Sequence, residues 1–242
     1  MTKPNCIITC QFNMTEYARL FTYEVLSDST CAVTGYVGSE TASLLIPSTD
    51  PEGRSVVAIG DRAFERCTAL RTVTLPDSVE SIGRRAFAFC TGLVEIRTSS
   101  ESRLTTVGDR AFMGCECLTV LRFGRLHNLA SLGRAAFAYC TRLHSVVLPE
   151  GLNELAPSLF EGCCALKHIH LPESLTTIRT AAFSACKALE ILNLPTSLRI
   201  IEDCAFAWCG HLSDLRLPES PCVIAGSAFM ECYALHDLLQ VC

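Results

Sequence analysis

One phenylalanine recurs at nearly constant spacing through most of the chain: Phe64, Phe87, Phe112, Phe137, Phe160, Phe183, Phe206 and Phe229, separated by 23 or 25 residues. A fixed period of this length marks a stacked-repeat architecture, and it constrains the fold more than any local pattern. Other positions keep the same register. Cysteine follows three residues later in every unit, from Cys67 and Cys90 through to Cys232. Leucine follows after six, from Leu70 to Leu235, and an aliphatic residue after nine, as in Val73, Ile96 and Leu121. An aliphatic residue also comes five before, as in Ile59, Ile82 and Val107, and alanine stands directly before the phenylalanine except at Leu159.

The alternating apolar positions of residues 70–76 predict a short strand, ended by Pro76 because proline has no N–H for a ladder. Residues 82–87, Ile-Gly-Arg-Arg-Ala-Phe, predict a turn leading into a short helical or 3₁₀ piece. A single unit holds too few large apolar side chains to offset the entropy of ordering it, so units must stack on one another. The predicted fold is an α/β-type repeat solenoid with one short strand and a turn or short helix per 23–25-residue repeat, and a parallel sheet on one face. Neighbouring strands lie about 4.8 Å apart, which makes the array roughly 40 Å long. Residues 1–47 are expected to form an N-terminal cap segment with the opening repeat strand, and 48–242 an array of about eight units. Within the cap, residues 30–36 read as a strand and 44–47 as the first strand of the array. Residues 15–26 suit a short amphipathic helix through Tyr17, Leu20 and Phe21, although 21–26 suit a strand equally well.

The pattern Ile82-Gly83-x-x-Ala86-Phe87-x-x-Cys90-x-x-Leu93-x-x-Ile96, repeated from Val56 to the C-terminus, resembles the BspA-like leucine-rich repeat family. Two units depart from its closing Leu-Pro: Thr98-Ser99 stand there in one and Phe123-Gly124 in the next. The resemblance implies a leucine-rich-repeat fold and non-enzymatic protein binding, often adhesion at a microbial surface.

Composition excludes several classes. Apolar residues make up 49% of the chain and mean hydropathy is +0.31, so the chain is not disordered. A net charge of −5 argues against a nucleic-acid platform. The longest uncharged run, residues 4–15, is too short to span a bilayer. The apolar stretch near Cys6 and Cys10 is too short for a secretory signal, so an intracellular location, cytoplasmic or organellar, is expected, with the cell surface as the alternative.

Eight of the sixteen cysteines share one register and should form a column inside the coil. The preferred reading is a ladder of small, reduced, buried hydrophobes. Cross-repeat disulfides are the alternative, since stacked rungs fall within bridging range, but each rung has two equivalent neighbours. Cys115-x-Cys117 and Cys163-Cys164 lack zinc-ligand spacing. No nucleophile elbow, phosphate loop or zincin motif is present. His168 and His170 share a strand face near His144, and Cys163 and Cys164 lie close in sequence, but nothing marks an oxyanion hole. A non-enzymatic protein with no cofactor and no metal is expected.

If Val73 and its equivalents point inward, their neighbours point out. The expected protein-binding face then carries Arg97, Val120, Arg122, Val147, His168, His170, Ile191 and Arg216. Exposed apolar residues flanked by Arg and His suit a protein interface. A merely solvated sheet is the alternative. Three return loops are longer than the rest, at 48–54, 99–103 and 124–128, and insertions of this kind often gather on a binding rim. The last predicted strand, 235–239, leaves Leu238 and Phe229 at an uncapped end, which suits an assembly contact or a homo-oligomer.

Overall fold

The computed structural model describes residues 14–38, 40–123, 126 and 128–235. Residues 15–26 divide in two: a short helix α1 (Met14–Ala18) is followed by strand β1 (Phe21–Val25). β1 pairs antiparallel with β2 (Thr30–Tyr36), with an irregularity between Thr22 and Tyr23. β3 (Ser43–Leu45) and β4 (Ser55–Ile59) open the array. Three-residue and two-residue strands then alternate: β5 (Thr72–Thr74), β6 (Ser81–Ile82), β7 (Glu95–Arg97), β8 (Thr106–Val107), β9 (Val120–Arg122), β10 (Ser131–Leu132) and β11 (Ser145–Val147). The alternation continues with β12 (Glu154–Leu155), β13 (His168–His170), β14 (Thr177–Ile178), β15 (Ile191–Asn193), β16 (Ile200–Ile201), β17 (Asp214–Arg216) and β18 (Val223–Ile224).

The chain winds as a β-solenoid. The two-residue strands stack in parallel on five-residue β4 as β4-β6-β8-β10 and again as β12-β14-β16-β18, with the β1–β2 hairpin joined to the first group through β4. The three-residue strands stack in parallel as β3-β5-β7, β9-β11-β13 and β15-β17. Parallel ladders therefore run along two sides of each coil. The second ladder lies over the Ile59, Ile82 and Val107 register, which the sequence pattern assigned to a turn.

The segment around each core phenylalanine is a turn, not the expected short helix. A helix closes its hydrogen bonds within the segment, four residues apart. Here the Phe64 N–H donates to Ala86 O of the next coil at 2.7 Å, flanked by Arg62 N–H to Arg84 O and Arg66 N–H to Ala88 O. The backbone turns outward in this way because residues two before and two after the phenylalanine adopt left-handed φ, as Arg62 (57°) and Arg66 (66°) do. These stacked turns form a third column of intercoil hydrogen bonds. Helix among the described residues is confined to α1 and a 3₁₀ turn at Tyr233–Leu235, which occupies the start of the last predicted strand.

The core is the repeat made physical. The eight phenylalanine rings stack in one continuous column, with centroids 5.1 Å apart at Phe64–Phe87 and 5.9 Å at Phe137–Phe160, and interplanar angles of 17° or less. Beside it runs the cysteine column. Each thiol from Cys90 to Cys232 donates to the carbonyl of the preceding coil's phenylalanine, as in Cys140 Sγ to Phe112 O at 3.3 Å. The cysteine is thus both a small hydrophobe and a donor that ties one coil to the last, which the reading of the ladder as purely apolar left out.

Candidate functional site: the strand face and its cleft

The three-residue strands place their middle residues inward and their outer pair outward. Val73, Leu121, Val146 and Leu192 are buried, whereas Ile96, Ile169 and Leu215 are only half-buried. Those three belong to β7, β13 and β17, each the last strand of its sheet. The face is therefore broken after β7 and after β13.

One intercoil bond tracks these breaks. Two residues beyond the inward position, the backbone N–H donates to the next coil: Leu75 to Arg97 O, Phe123 to Val147 O, Leu148 to His170 O and Leu194 to Arg216 O. Among the described residues no such bond joins Thr98 or Leu171 to the following coil. At the first break the side chain differs too. Leu75, Leu148, Leu171 and Leu194 are buried at this register, but polar Thr98 is only half-buried. A cleft of about 550 Å³ opens there. One wall holds Glu95, Ile96, Arg97 and Thr98; the other holds Val120, Leu121 and Phe123. Phe123 is buried, tilted at 57° against Phe137 with centroids 5.8 Å apart.

The structure gathers five of the proposed binding residues on one sheet. Ser145 aligns with Val120 and His168, and Val147 with Arg122 and His170, across β9-β11-β13. Val147 is 38% exposed and both histidines are exposed. Arg97 lies across the cleft from Val120, and its Nε is held by Glu95 at 2.8 Å. Ile191, 57% exposed, and Arg216, whose Nε lies 3.9 Å from Asp214, sit beyond the second break on β15-β17. Leu238 lies outside the described residues. The cleft itself went unnoticed in the sequence reading, although its signal, Thr98 and Phe123 in place of leucine, was visible.

All thirteen cysteines among the described residues are free thiols. Burial pushes the Cys140 thiol up to about 12 and the Cys163 thiol well above its usual value, so both stay protonated and unreactive near neutral pH. Among the described residues no group of three or more His, Cys, Asp or Glu could hold a metal ion, and no helix is long and apolar enough to cross a membrane. Of the longer loops, 48–54 is closed upon itself: buried Asp50 accepts the backbone N–H groups of Glu52 and Arg54 and pairs with the Arg54 guanidinium.

The sequence pattern of the BspA-type leucine-rich repeat region matches in six copies, across residues 51–163 and 105–236. The chain belongs to the BspA-type leucine-rich repeat family. Among solved structures, this BspA-type chain is similar to a leucine-rich cell surface protein from Faecalibacterium prausnitzii A2-165, at 30% identity and TM-score 0.73, covering 81% of this chain and 52% of that one. It is similar to the leucine-rich repeat protein TpLRR of T. pallidum, at 30% identity and TM-score 0.68, covering 93% and 92%. A leucine-rich repeat protein from Bacteroides ovatus ATCC 8483 matches at 29% identity and TM-score 0.75, covering 84% and 53%. The BspA-type chain thus spans about half the length of the Faecalibacterium and Bacteroides proteins. No curated protein matches its sequence.

Proposed function

We propose that this BspA-type chain is a non-enzymatic protein-binding module that engages a partner through its three-residue-strand face, anchored at the cleft between β7 and β9. The observation that carries this reading is the cleft: unpaired strand edges face each other beside apolar Ile96, Val120 and Phe123. Unpaired edges supply main-chain donors and acceptors to an extended partner segment, and the apolar wall supplies the buried area. Val147, His168 and His170 extend the contact along β11 and β13. The test is site-specific photo-crosslinking from Val120 and Val147 in the source cell, with crosslinking from exposed Glu219 on a loop as control. A shared adduct from the two face positions, absent at Glu219 and lost in Arg97→Glu, supports the reading. No adduct at either face position sinks it.

The second reading is a surface-exposed adhesin or antigen, and the described location of the Faecalibacterium relative favours it. Protease shaving of intact source cells separates the two locations: loss of the chain from intact cells places it outside, and survival until lysis places it inside.

A further inference from the structure

The column of turns changes character halfway along the rod. In the first four coils it carries Arg62, Arg66, Arg84, Arg85, Arg110 and Arg134, against only Asp61, Glu65 and Asp109, on a chain whose net charge is −5. The acids are engaged locally. Asp61 accepts the backbone N–H of Arg84 at 2.7 Å, and Asp109 that of Arg134 at 2.8 Å. Glu65 lies 3.7 Å from both Arg62 and Arg85. Arg66 sits over the Phe89 ring, 5.8 Å from its centroid. The described residues offer the guanidiniums of Arg84, Arg110 and Arg134 no ion pair and no hydrogen bond, and Arg84 and Arg134 are exposed.

These three arginines stand on consecutive coils whose core rings are 5.2 and 5.3 Å apart, but in two registers: Arg84 and Arg134 come three residues before their phenylalanines, whereas half-buried Arg110 comes two before, beside Asp109. Arg84 and Arg134 are thus two coils apart, on the order of 10 Å, with Arg110 on the coil between. The coil of Arg134 also carries an exposed aromatic five residues on: Tyr139, 50% exposed, which like Phe89 holds a left-handed backbone at φ 60°. Both rings are placed by glycine. A Cβ on Gly114 would come within 2.7 Å of the Phe89 ring, and one on Gly162 within 2.6 Å of the Tyr139 ring.

Beyond Tyr139 the same column loses its basic surplus. Two residues before the phenylalanine, the register of Arg62, Arg85 and Arg110, stand Ser158, Ala181, Cys204 and Ser227; three before, the register of Arg84 and Arg134, stand Pro157, Thr180, Asp203 and Gly226. Arg179 is clamped between Glu154 at 2.7 Å and Glu202 at 2.8 Å, and Glu161 accepts the Tyr139 hydroxyl at 2.8 Å. A long polyanion laid along the rod would gain at one half and lose at the other. A short one would meet only the basic half. Guanidinium forks match carboxylates two bonds at a time, and arginine clusters read acidic motifs.

We propose that the turn column of the first four coils is a second docking surface, for a short acidic polypeptide segment whose carboxylates are taken by Arg84, Arg110 and Arg134 and whose flanking apolar residue rests on Tyr139. This surface lies apart from the strand face and does not depend on it. The test uses the full chain and a fluorescein-labelled octaglutamate peptide, read by fluorescence anisotropy at low salt. The peptide binds, binding weakens as salt rises, and Arg84→Glu and Arg134→Glu each weaken it at least about tenfold while Arg216→Glu and Val147→Glu leave it unchanged. Arg84→Gln, which removes the positive charge without adding a negative one, gives a smaller loss in the same direction; thermal melting of each variant confirms that it is folded. Three results overturn the proposal: no binding at low salt, equal binding by the folded arginine variants, or tighter binding of a sulfated oligosaccharide than of octaglutamate at the same arginines. Failure here leaves the crosslinks at Val120 and Val147 untouched, so the two surfaces are judged separately.

Discussion

The turn column and the three-residue-strand column belong to the same coils, yet one is continuous and the other is interrupted. Along the turns, phenylalanine N–H donors reach the next coil from Phe64 through Phe206, the rings stack throughout, and thiols tie each coil back to the one before. Along the strands, the ladder stops after β7 and β13. The difference teaches that a solenoid does not need uniform pairing. One side can be locked by three independent sets of contacts and carry the rise, while the three-residue strands part at two places. At the first the leucine beneath is replaced by Thr98; at the second Leu171 and Leu194 stay buried.

The hardest test of this contrast is to cut the locked side. Phe137 is fully buried between Phe112 at 5.3 Å and Phe160 at 5.9 Å. Phe137→Ala should cost about 3–5 kcal/mol, read as a fall in the denaturant midpoint, whereas Val147→Ala on the exposed side should cost less than about 0.5 kcal/mol. Equal losses would erase the distinction between the columns.

Alkali should attack the same locked side. A thiol ordinarily ionises near 9, but burial holds Cys140 protonated to about 12, and Cys115 and Cys163 are also raised. Stability is therefore fully present below about pH 9. Above it the unfolded chain ionises first, and stability falls by about 1.4 kcal/mol per pH unit for each buried thiol until its folded value is passed. Denaturation curves from pH 8 to 11 check this. Cys140→Ala should flatten the slope by one thiol's share, while lowering stability at pH 7 by about 1–2 kcal/mol through the lost packing and the lost bond to Phe112 O.

The smallest effect sharpens the contrast from the open side. Thr98→Leu restores the apolar residue found at Leu75 and Leu148 and should fill the cleft, adding up to about 1 kcal/mol of stability while abolishing the crosslink from Val120. A more stable variant that still captures the partner would separate the cleft from binding.

Much of this was legible in advance. The phenylalanine, cysteine and leucine registers foretold the stacking, because side chains repeated at one spacing can all be buried only if coils lie over one another. Residues 30–36 formed the strand they promised. The turn was harder to read. Its left-handed positions are held by Arg62, Arg85, Ala135 and Trp208, none of which carries the usual mark of glycine, so an Ala-Phe segment looked helical. The binding residues were individually visible, but their grouping was not. Nothing in the spacing separates Arg97 from Val120 by a cleft, or Ile191 from His170 by a break.

The amino-acid order alone determined that this protein is a rod of equivalent coils, since burial of a periodic apolar set has one economical solution. Only the tertiary structure decided which column of the rod stays sealed and which opens. Hydrogen bonding between neighbouring coils depends on the distance left by the side chains beneath, and at the first break a threonine stands in a leucine's place, in a repeat 25 residues long rather than 23.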